Sequence, residues 1–556
     1  MADPTSPRSG GQLLVDALEV HGTDTAFCVP GESFLAVLDA LYESREAIKL
    51  IVCRQEGGAT HMAEAYGKLT GKPGICFVTR GPGATNASIG IHTARQDSTP
   101  LIVFIGQVSR GDMGREAWQE IDFRQMFGGI AKWVDQIDDP ARIPELVSRA
   151  FHIATSGRPG PVVLAVPEDM LVEMATVANS APYKRFAVTP CGADMEEVRE
   201  RLERAERPML LLGGSAWTRE ACDDIARFAH TFRLPVACTF RRQDLIDNRD
   251  PLYIGEAGLG MDPNLAARIK AADLILAVGP RMGETSTNGY GLLDVPQPVQ
   301  SLIHVHRDAA ELGRVYNADL MINAGMETFA RAAAALTPAA APHWEAWTRS
   351  ARADYEKNLQ HTPMSGPVDL GDVMQHVRET LPADAIITNG AGNYTLWVQR
   401  FYQYRGFRTQ LAPTSGTMGY GVPAAIAAKL VHPDRTVVCF AGDGCFMMNG
   451  QELATAVQYG LNILFVVINN GMYGSIRMHQ ERHYPGHVHG TDLVNPDFVA
   501  LAKAYGLYAE KVDSTEAFAP ALTRARAAGK PALLELVTDP DVISPRTTIT
   551  RLRAQA

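Results

Sequence analysis

The sequence predicts an α/β protein of three doubly wound domains, each a parallel sheet covered by helices on both faces. Three observations lead there. Apolar runs of strand length alternate with helix-like stretches throughout. At 556 residues the chain is too long for one core, since single cores stop growing near ~250–300 residues. Two irregular passages divide it into segments of comparable size.

The runs fall at residues 50–53, 75–78, 101–105 and 162–166 in the first segment, 209–212 and 274–278 in the second, and 436–441 and 463–468 in the third. The first passage, residues 179–194, mixes Ser, Pro, Tyr, Lys and Gly without periodicity. The second, Leu-Thr-Pro-Ala-Ala-Ala-Pro at 336–342, precedes a charged stretch containing Trp. Read as linkers, they give domains at 1–178, 195–336 and 366–550. No short repeat period marks a solenoid.

Charge and composition narrow the function. Against 52 basic residues stand 62 acidic ones, a net charge of -10, which offers no overall attraction to nucleic acid or an anionic membrane. Small molecules are the expected partners. The eight cysteines form no C-x-x-C pair, and Cys53, Cys76 and Cys439 sit in apolar runs, as reduced core thiols do. The polar, proline-broken start and the lack of any apolar run of ~18 residues lead us to expect a soluble cytoplasmic protein.

The third segment carries the strongest chemical signal. A strand runs into Gly442-Asp443-Gly444, a helix-like stretch follows at about 451–458, and a second strand ends in Asn469-Asn470. Parallel strands joined by a helix bring their carboxyl ends to one sheet edge, where Asp443 and Asn470 can converge. A carboxylate, an amide oxygen and a diphosphate are a sensible set for Mg²⁺. Gly442 and Gly444 let the backbone approach phosphate. Either half alone reads as an ordinary turn or cap, whereas the pair spaced by one crossover unit points to a site.

This arrangement resembles the thiamine-diphosphate motif, G-D-G followed by N-N. The resemblance implies Mg²⁺ on Asp443, Asn470 and the carbonyl of Met472, with Cys445 also at the coenzyme. Upstream, residues 415–425 match the family's segment beneath the pyrimidine, with Met418 as the wedge that bends the coenzyme and the Gly416 carbonyl as acceptor for its amino group. Gly390-Ala391-Gly392-Asn393-Tyr394 stands where acetolactate synthases place a Gly-x-Gly-Gln-His diphosphate loop; the glycines Gly390 and Gly392 agree, the side chains of Asn393 and Tyr394 do not.

Thiamine diphosphate also needs one carboxyl group at its N1′. Glu56 follows a strand in Arg54-Gln55-Glu56-Gly57-Gly58 and opens a helix-like run through Lys68. Burial in an apolar slot would raise its pKa. Alone, such a glutamate is more often a dipole partner of a helix start. Its surroundings resemble acetolactate synthases over residues 50–122: His61-Met62-Ala63-Glu64, Thr79 before Gly81-Pro82-Gly83-Ala84-Thr85-Asn86, Asp97-Ser98-Thr99-Pro100, and Gln119-Glu120-Ile121-Asp122. The resemblance implies catalytic roles for Glu56 and Gln119 and coenzyme contacts from Gly31, Thr79, Pro82 and Asn86. Arg80 departs from the family's usual serine.

Overall, the chain resembles the large subunit of acetolactate synthase (acetohydroxyacid synthase). This implies a pyrimidine-binding first domain, a central Rossmann-like domain and a diphosphate-binding third domain. It also implies a homodimer or homotetramer with active sites between chains, and a carboligase joining decarboxylated pyruvate, or a similar 2-oxo acid, to a second carbonyl compound. A non-ligating 2-oxo acid decarboxylase or C–C lyase is the alternative; a non-catalytic coenzyme-binding protein has no use for a relay glutamate. The family holds a structural FAD, here assigned to Arg158 of Ser-Gly-Arg-Pro-Gly-Pro and to Arg281, although the first motif also occurs in flavin-free relatives, where arginine braces domains. In the acceptor pocket the family's phenylalanine is replaced by Trp118 and its tryptophan by His479. The run from His479 to His489 reads as a polar mobile lid.

Overall fold

The computed structural model describes residues 6–555. Two compact units make up the chain: residues Met1–Phe186 with Val422–Pro433 and Met447–Leu461, and the remainder.

The first unit holds a six-stranded parallel sheet in the order Lys49–Val52, Thr25–Cys28, Gly74–Val78, Leu101–Gln107, Pro161–Pro167, Trp133–Gln136. Its inner strands Gly74–Val78, Leu101–Gln107 and Pro161–Pro167 are wholly buried, as parallel strands covered on both faces must be. Alternate residues Ile75, Phe77, Ile102, Phe104, Val162 and Leu164 feed one core with the helices Gly10–Val20 and Ile143–Thr155.

The second unit carries two further six-stranded parallel sheets. The middle one runs Tyr253–Ala257, Val236–Thr239, Pro208–Leu212, Leu274–Val278, Ser301–His306, Leu320–Asn323. Its period of two sends Leu210, Leu212, Leu274 and Leu276 into one core and Met209, Leu211, Ile275 and Ala277 into another. The helix Glu345–Asn358, beyond the linker expected at 336–342, also packs here. Trp344 and Tyr355 enter the core, and the indoles of Trp344 and Trp347 donate to the carbonyls of Phe232 and Pro208, each at 3.0 Å. The middle layer therefore continues past residue 336.

The third sheet runs Gln410–Leu411, Ile386–Asn389, Val437–Gly442, Leu464–Asn469, Ala532–Val537, Tyr508–Val512. Among the described residues no helix is long and apolar enough to cross a membrane.

Candidate active site

In the third sheet the chain leaves Ile386–Asn389 toward one edge and Val437–Gly442 toward the other. The turns after these neighbouring strands part, opening the crevice where open parallel sheets bind ligands. A cavity of about 250 Å³ lies there. Gly392, Asn393 and Tyr394 line it from one turn, Gly442, Asp443, Gly444 and Cys445 from the next, with Gly416, Met418, Asn470 and Met472 completing the set expected there. Gly390 lies just behind, its N–H donating to the Tyr394 hydroxyl at 3.0 Å. That hydroxyl donates in turn to Cys445 Sγ at 3.5 Å, and Gly419 N–H donates to the same sulfur at 3.2 Å. Tyr394 thus props the wall from within.

Asp443 is buried, and neutral donors hold its carboxylate. Gly444 N–H reaches Oδ1 at 2.8 Å; Gly471 N–H and Asn495 Nδ2 reach Oδ2 at 2.9 and 2.8 Å. Burial pushes its pKa above the ordinary carboxylate value. A desolvated carboxylate facing a cavity gains from a cation, and the small residues beside it leave room for phosphate, so the residues fit a divalent ion carrying a diphosphate. Only glycine fits at 444, where a Cβ would fall 2.6 Å from the Tyr473 ring. Asn470 Oδ1 accepts the Met472 N–H at 3.3 Å, which sets both residues in one turn beside Asp443.

Asn495 escaped the sequence reading, being 52 residues from Asp443. The return of the chain brings it in: Tyr473 N–H donates to the Thr491 carbonyl and Leu493 N–H to that of Gly471, both at 2.8 Å. Asn495 Nδ2 then spans Asp443 and the Asn469 side chain, 3.0 Å away. The Asn-Pro dipeptide after a polar stretch was the available signal.

The stretch expected to be a lid begins as a helix, Gly474–His483. Its Glu481 is fully buried and binds Arg477 Nε on the same helix at 2.8 Å and Arg553 Nη2, from the helix Ile549–Gln555, at 2.7 Å. The hydrogen bond from Arg553, before its other partners, holds the Glu481 pKa down to about 2. Ile476 lines the cavity, and His479 is exposed one turn further along the same face. Among the described residues, none of the histidines in this stretch joins a group of three metal-capable side chains.

In the first unit, Glu56 begins the helix Glu56–Thr70, and its Oε2 accepts from Asn86 Nδ2, 2.9 Å away on the helix Gly81–Asp97. The two helices approach closely because Gly90 leaves space for Thr60, whose hydroxyl bonds the Ala87 carbonyl at 3.3 Å. Glu56 is half-buried in this chain rather than enclosed in an apolar slot. Pro82 and Asn86 are exposed on one helix face. Thr79 meets Ser33 by a 3.0 Å hydroxyl contact and packs under Gly31. The Gln119 carbonyl accepts the Gly81 N–H at 3.0 Å, with Gln119 itself at φ 68°.

Comparison with known proteins now bears on this geometry. Three family profiles match in series: "Thiamine pyrophosphate enzyme, N-terminal TPP binding domain" over residues 8–126, its central domain over 195–333, and its C-terminal TPP binding domain over 390–536. The acetolactate synthase large subunit of Parasynechococcus marenigrum (strain WH8102) is 35% identical over 553 residues, 96% of this chain and 88% of that one. Acetolactate synthase isozyme 2 large subunit of Escherichia coli (strain K12) is 31% identical, covering 96% of each chain. The acetolactate synthase large subunit of Lactococcus lactis subsp. lactis (strain IL1403) is 32% identical over 92% of this chain and 90% of its own.

The chain belongs to the acetolactate synthase family of thiamine pyrophosphate enzymes.

Within this thiamine pyrophosphate enzyme several motif residues are braces. His61 is fully buried, and burial pushes its pKa down to about 3, so it is neutral. Lys68 pairs with Asp97 and with Glu64 at 3.3 Å, and Thr99 donates to Glu64 at 2.6 Å. Arg80 pairs with Glu168 at the end of the strand Pro161–Pro167, and Ser109 donates to that same glutamate at 3.0 Å. The arginine that stood out in the sequence thus has a structural partner. Trp118 is 71% exposed on the first unit. Arg158 is buried, its Nε on Ser98 Oγ at 2.8 Å and its Nη2 on the Arg95 carbonyl. Arg281 Nε contacts Glu311 at 3.4 Å.

Proposed function

We propose that this thiamine-diphosphate-dependent carboligase decarboxylates pyruvate, or a similar 2-oxo acid, and joins the two-carbon fragment to a second oxo acid, giving acetolactate when both are pyruvate. The buried Asp443, held by neutral donors at the edge of a glycine-lined cavity in a chain akin to acetolactate synthases along nearly its whole length, carries the reading. Asp443, Asn470 and the Met472 carbonyl would hold Mg²⁺. The Gly416 carbonyl and Met418 would seat the pyrimidine, and the Gly392–Asn393 and Gly442–Cys445 turns the diphosphate. Bound thiamine diphosphate would supply a nucleophilic C2 and a thiazolium ring able to take up the electron pair released by decarboxylation. Glu56 holds and passes the proton at N1′, kept in place by Asn86, while Gln119 borders the reacting carbon.

Glu56, Pro82 and Asn86 lie on an open face of the first unit, which supports a second copy of the chain completing the site, in a homodimer or homotetramer of the cytoplasm. The deciding experiment incubates purified protein, thiamine diphosphate and Mg²⁺ with a panel of 2-oxo acids and identifies products by mass. Acetolactate from pyruvate is expected. Acetaldehyde alone, or turnover only of some other oxo acid, would favour the decarboxylase or lyase.

Trp118 and His479 are proposed to shape the acceptor site. In competition between pyruvate and 2-oxobutanoate, His479→Trp should raise the share of 2-aceto-2-hydroxybutyrate by about threefold or more, and Trp118→Phe should admit more acceptors. An unchanged ratio in both variants would leave selection to side chains such as Ile476.

The contacts of Arg158 and Arg281 support bracing, since protein groups already engage both guanidinium groups. A flavin beside them would be structural, because carboligation moves no net electrons. Any flavin absorbance in purified enzyme should therefore persist on anaerobic mixing with pyruvate; bleaching would indicate an oxidase.

A further inference from the structure

A buried carboxylate outside the cavity has no part in the reading above. Glu452 is fully buried in the segment Met447–Leu461, which belongs to the first unit. Its Oε1 accepts two backbone N–H groups, those of Arg54 and Gln55, each at 3.0 Å, and its Oε2 accepts from Thr455 Oγ1 at 2.5 Å. Arg54 and Gln55 immediately precede Glu56. Gln55 also caps the helix that Glu56 opens, its Oε1 accepting the Gly58 N–H at 3.1 Å. The same segment grips the preceding strand, where Val52 N–H donates to the Tyr459 hydroxyl at 2.8 Å, and it meets the Arg54 guanidinium through Gln458 at 2.7 Å. Gly58 makes the approach feasible: a Cβ there would lie 2.5 Å from Glu452 Oε1.

We propose that Glu452 is a positioning residue, a clamp that fixes the turn Cys53–Gln55 and thereby aims the Glu56 carboxylate. The proposal rests on the reading of Glu56 as the group that serves N1′. The physical ground is that one buried carboxylate oxygen accepts from two adjacent N–H groups at a strand-to-helix turn and so ties them to a fixed point. Losing it leaves them unpaired and the turn free to shift. Burial raises the Glu452 pKa, and the four groups around it, two backbone N–H, a hydroxyl and the Arg54 charge, oppose that rise. What the clamp requires of the side chain is an acceptor rather than a charge. In Glu452→Gln the amide oxygen can accept both N–H groups and the amide nitrogen can donate to the Thr455 hydroxyl, so the turn should hold.

The test has two readouts, one of them free of coenzyme. Amide hydrogen exchange on the protein without thiamine diphosphate should show Arg54 and Gln55 exchanging about tenfold faster or more in Glu452→Ala, and near wild-type rates in Glu452→Gln. With thiamine diphosphate and Mg²⁺ added, exchange of the coenzyme's C2 proton should slow about tenfold or more in the alanine variant, with coenzyme affinity retained, because a misplaced carboxylate relays poorly. The glutamine variant should restore it. If Glu452→Ala fails to fold, Gly58→Ala tests the same contact, since its methyl displaces the Glu452 carboxylate while suiting the helix. Unchanged amide exchange, wild-type C2 exchange despite a loosened turn, or a glutamine variant as impaired as the alanine one would each overturn the clamp. Wild-type C2 exchange in Glu56→Gln would instead remove the relay itself, a failure that the coenzyme-free amide measurement keeps separate.

Discussion

Glu56→Gln should slow exchange of the coenzyme's C2 proton by about 10²–10⁴-fold, the span general acid–base groups contribute. The substitution is nearly isosteric. Its amide oxygen can still accept from Asn86 Nδ2, which binds the Glu56 carboxylate at 2.9 Å, so the helix start should keep its place. What is lost is a group that can take up and return a proton at N1′. Proton-exchange NMR on the bound coenzyme reads this directly, and an unfolding curve matching wild type would exclude a structural cause. Exchange at the wild-type rate would exclude Glu56 from the chemistry.

Asp443→Ala should abolish Mg²⁺-dependent binding of thiamine diphosphate. The variant removes the one formal negative charge proposed for the metal, and Mg²⁺ bound mainly through phosphate relies on such a carboxylate. It also strips an acceptor from Gly444, Gly471 and Asn495, each of which would cost roughly 1–3 kcal/mol if left dry. Some local loosening of the Gly471 turn is therefore expected alongside the binding defect. Calorimetry with and without Mg²⁺ separates the two: wild-type affinity in the presence of the metal would defeat the assignment, even if thermal stability had fallen.

Much of this was legible in the residues. All the strand-length apolar runs but the one at 50–53, which became the edge strand Lys49–Val52, became inner strands of three parallel sheets, because strands covered on both faces have no polar side to show. Gly442-Asp443-Gly444 and Asn469-Asn470 were readable as a pair because one crossover fixes their separation. Other features were hidden for definable reasons. Asn495 reaches Asp443 through a chain return that its Asn-Pro dipeptide alone does not encode. The helix Glu345–Asn358 fell between the expected domain bounds because its buried face rests on few residues, with Trp347, Ala351 and Tyr355 spaced at helical intervals among charges. Arg80 could not be explained without its partner Glu168, 88 residues away. The run from His479 to His489 read as a mobile lid because histidines and charges dominate it, yet Glu481 is buried between two arginines.

The make-up of the first compact unit has a bearing on biosynthesis. Its sheet is complete within residues Met1–Phe186, but the segment bearing Glu452 and Tyr459 ends only at Leu461. On a ribosome adding about 5–20 residues per second, the N-terminal sheet must wait on the order of 14–55 s for it. During that interval the amides of Val52, Arg54 and Gln55 have no Tyr459 or Glu452 to meet. A nascent chain halted before residue 447 should thus display a formed sheet with an open Glu56 turn, which amide exchange on the stalled chain would read.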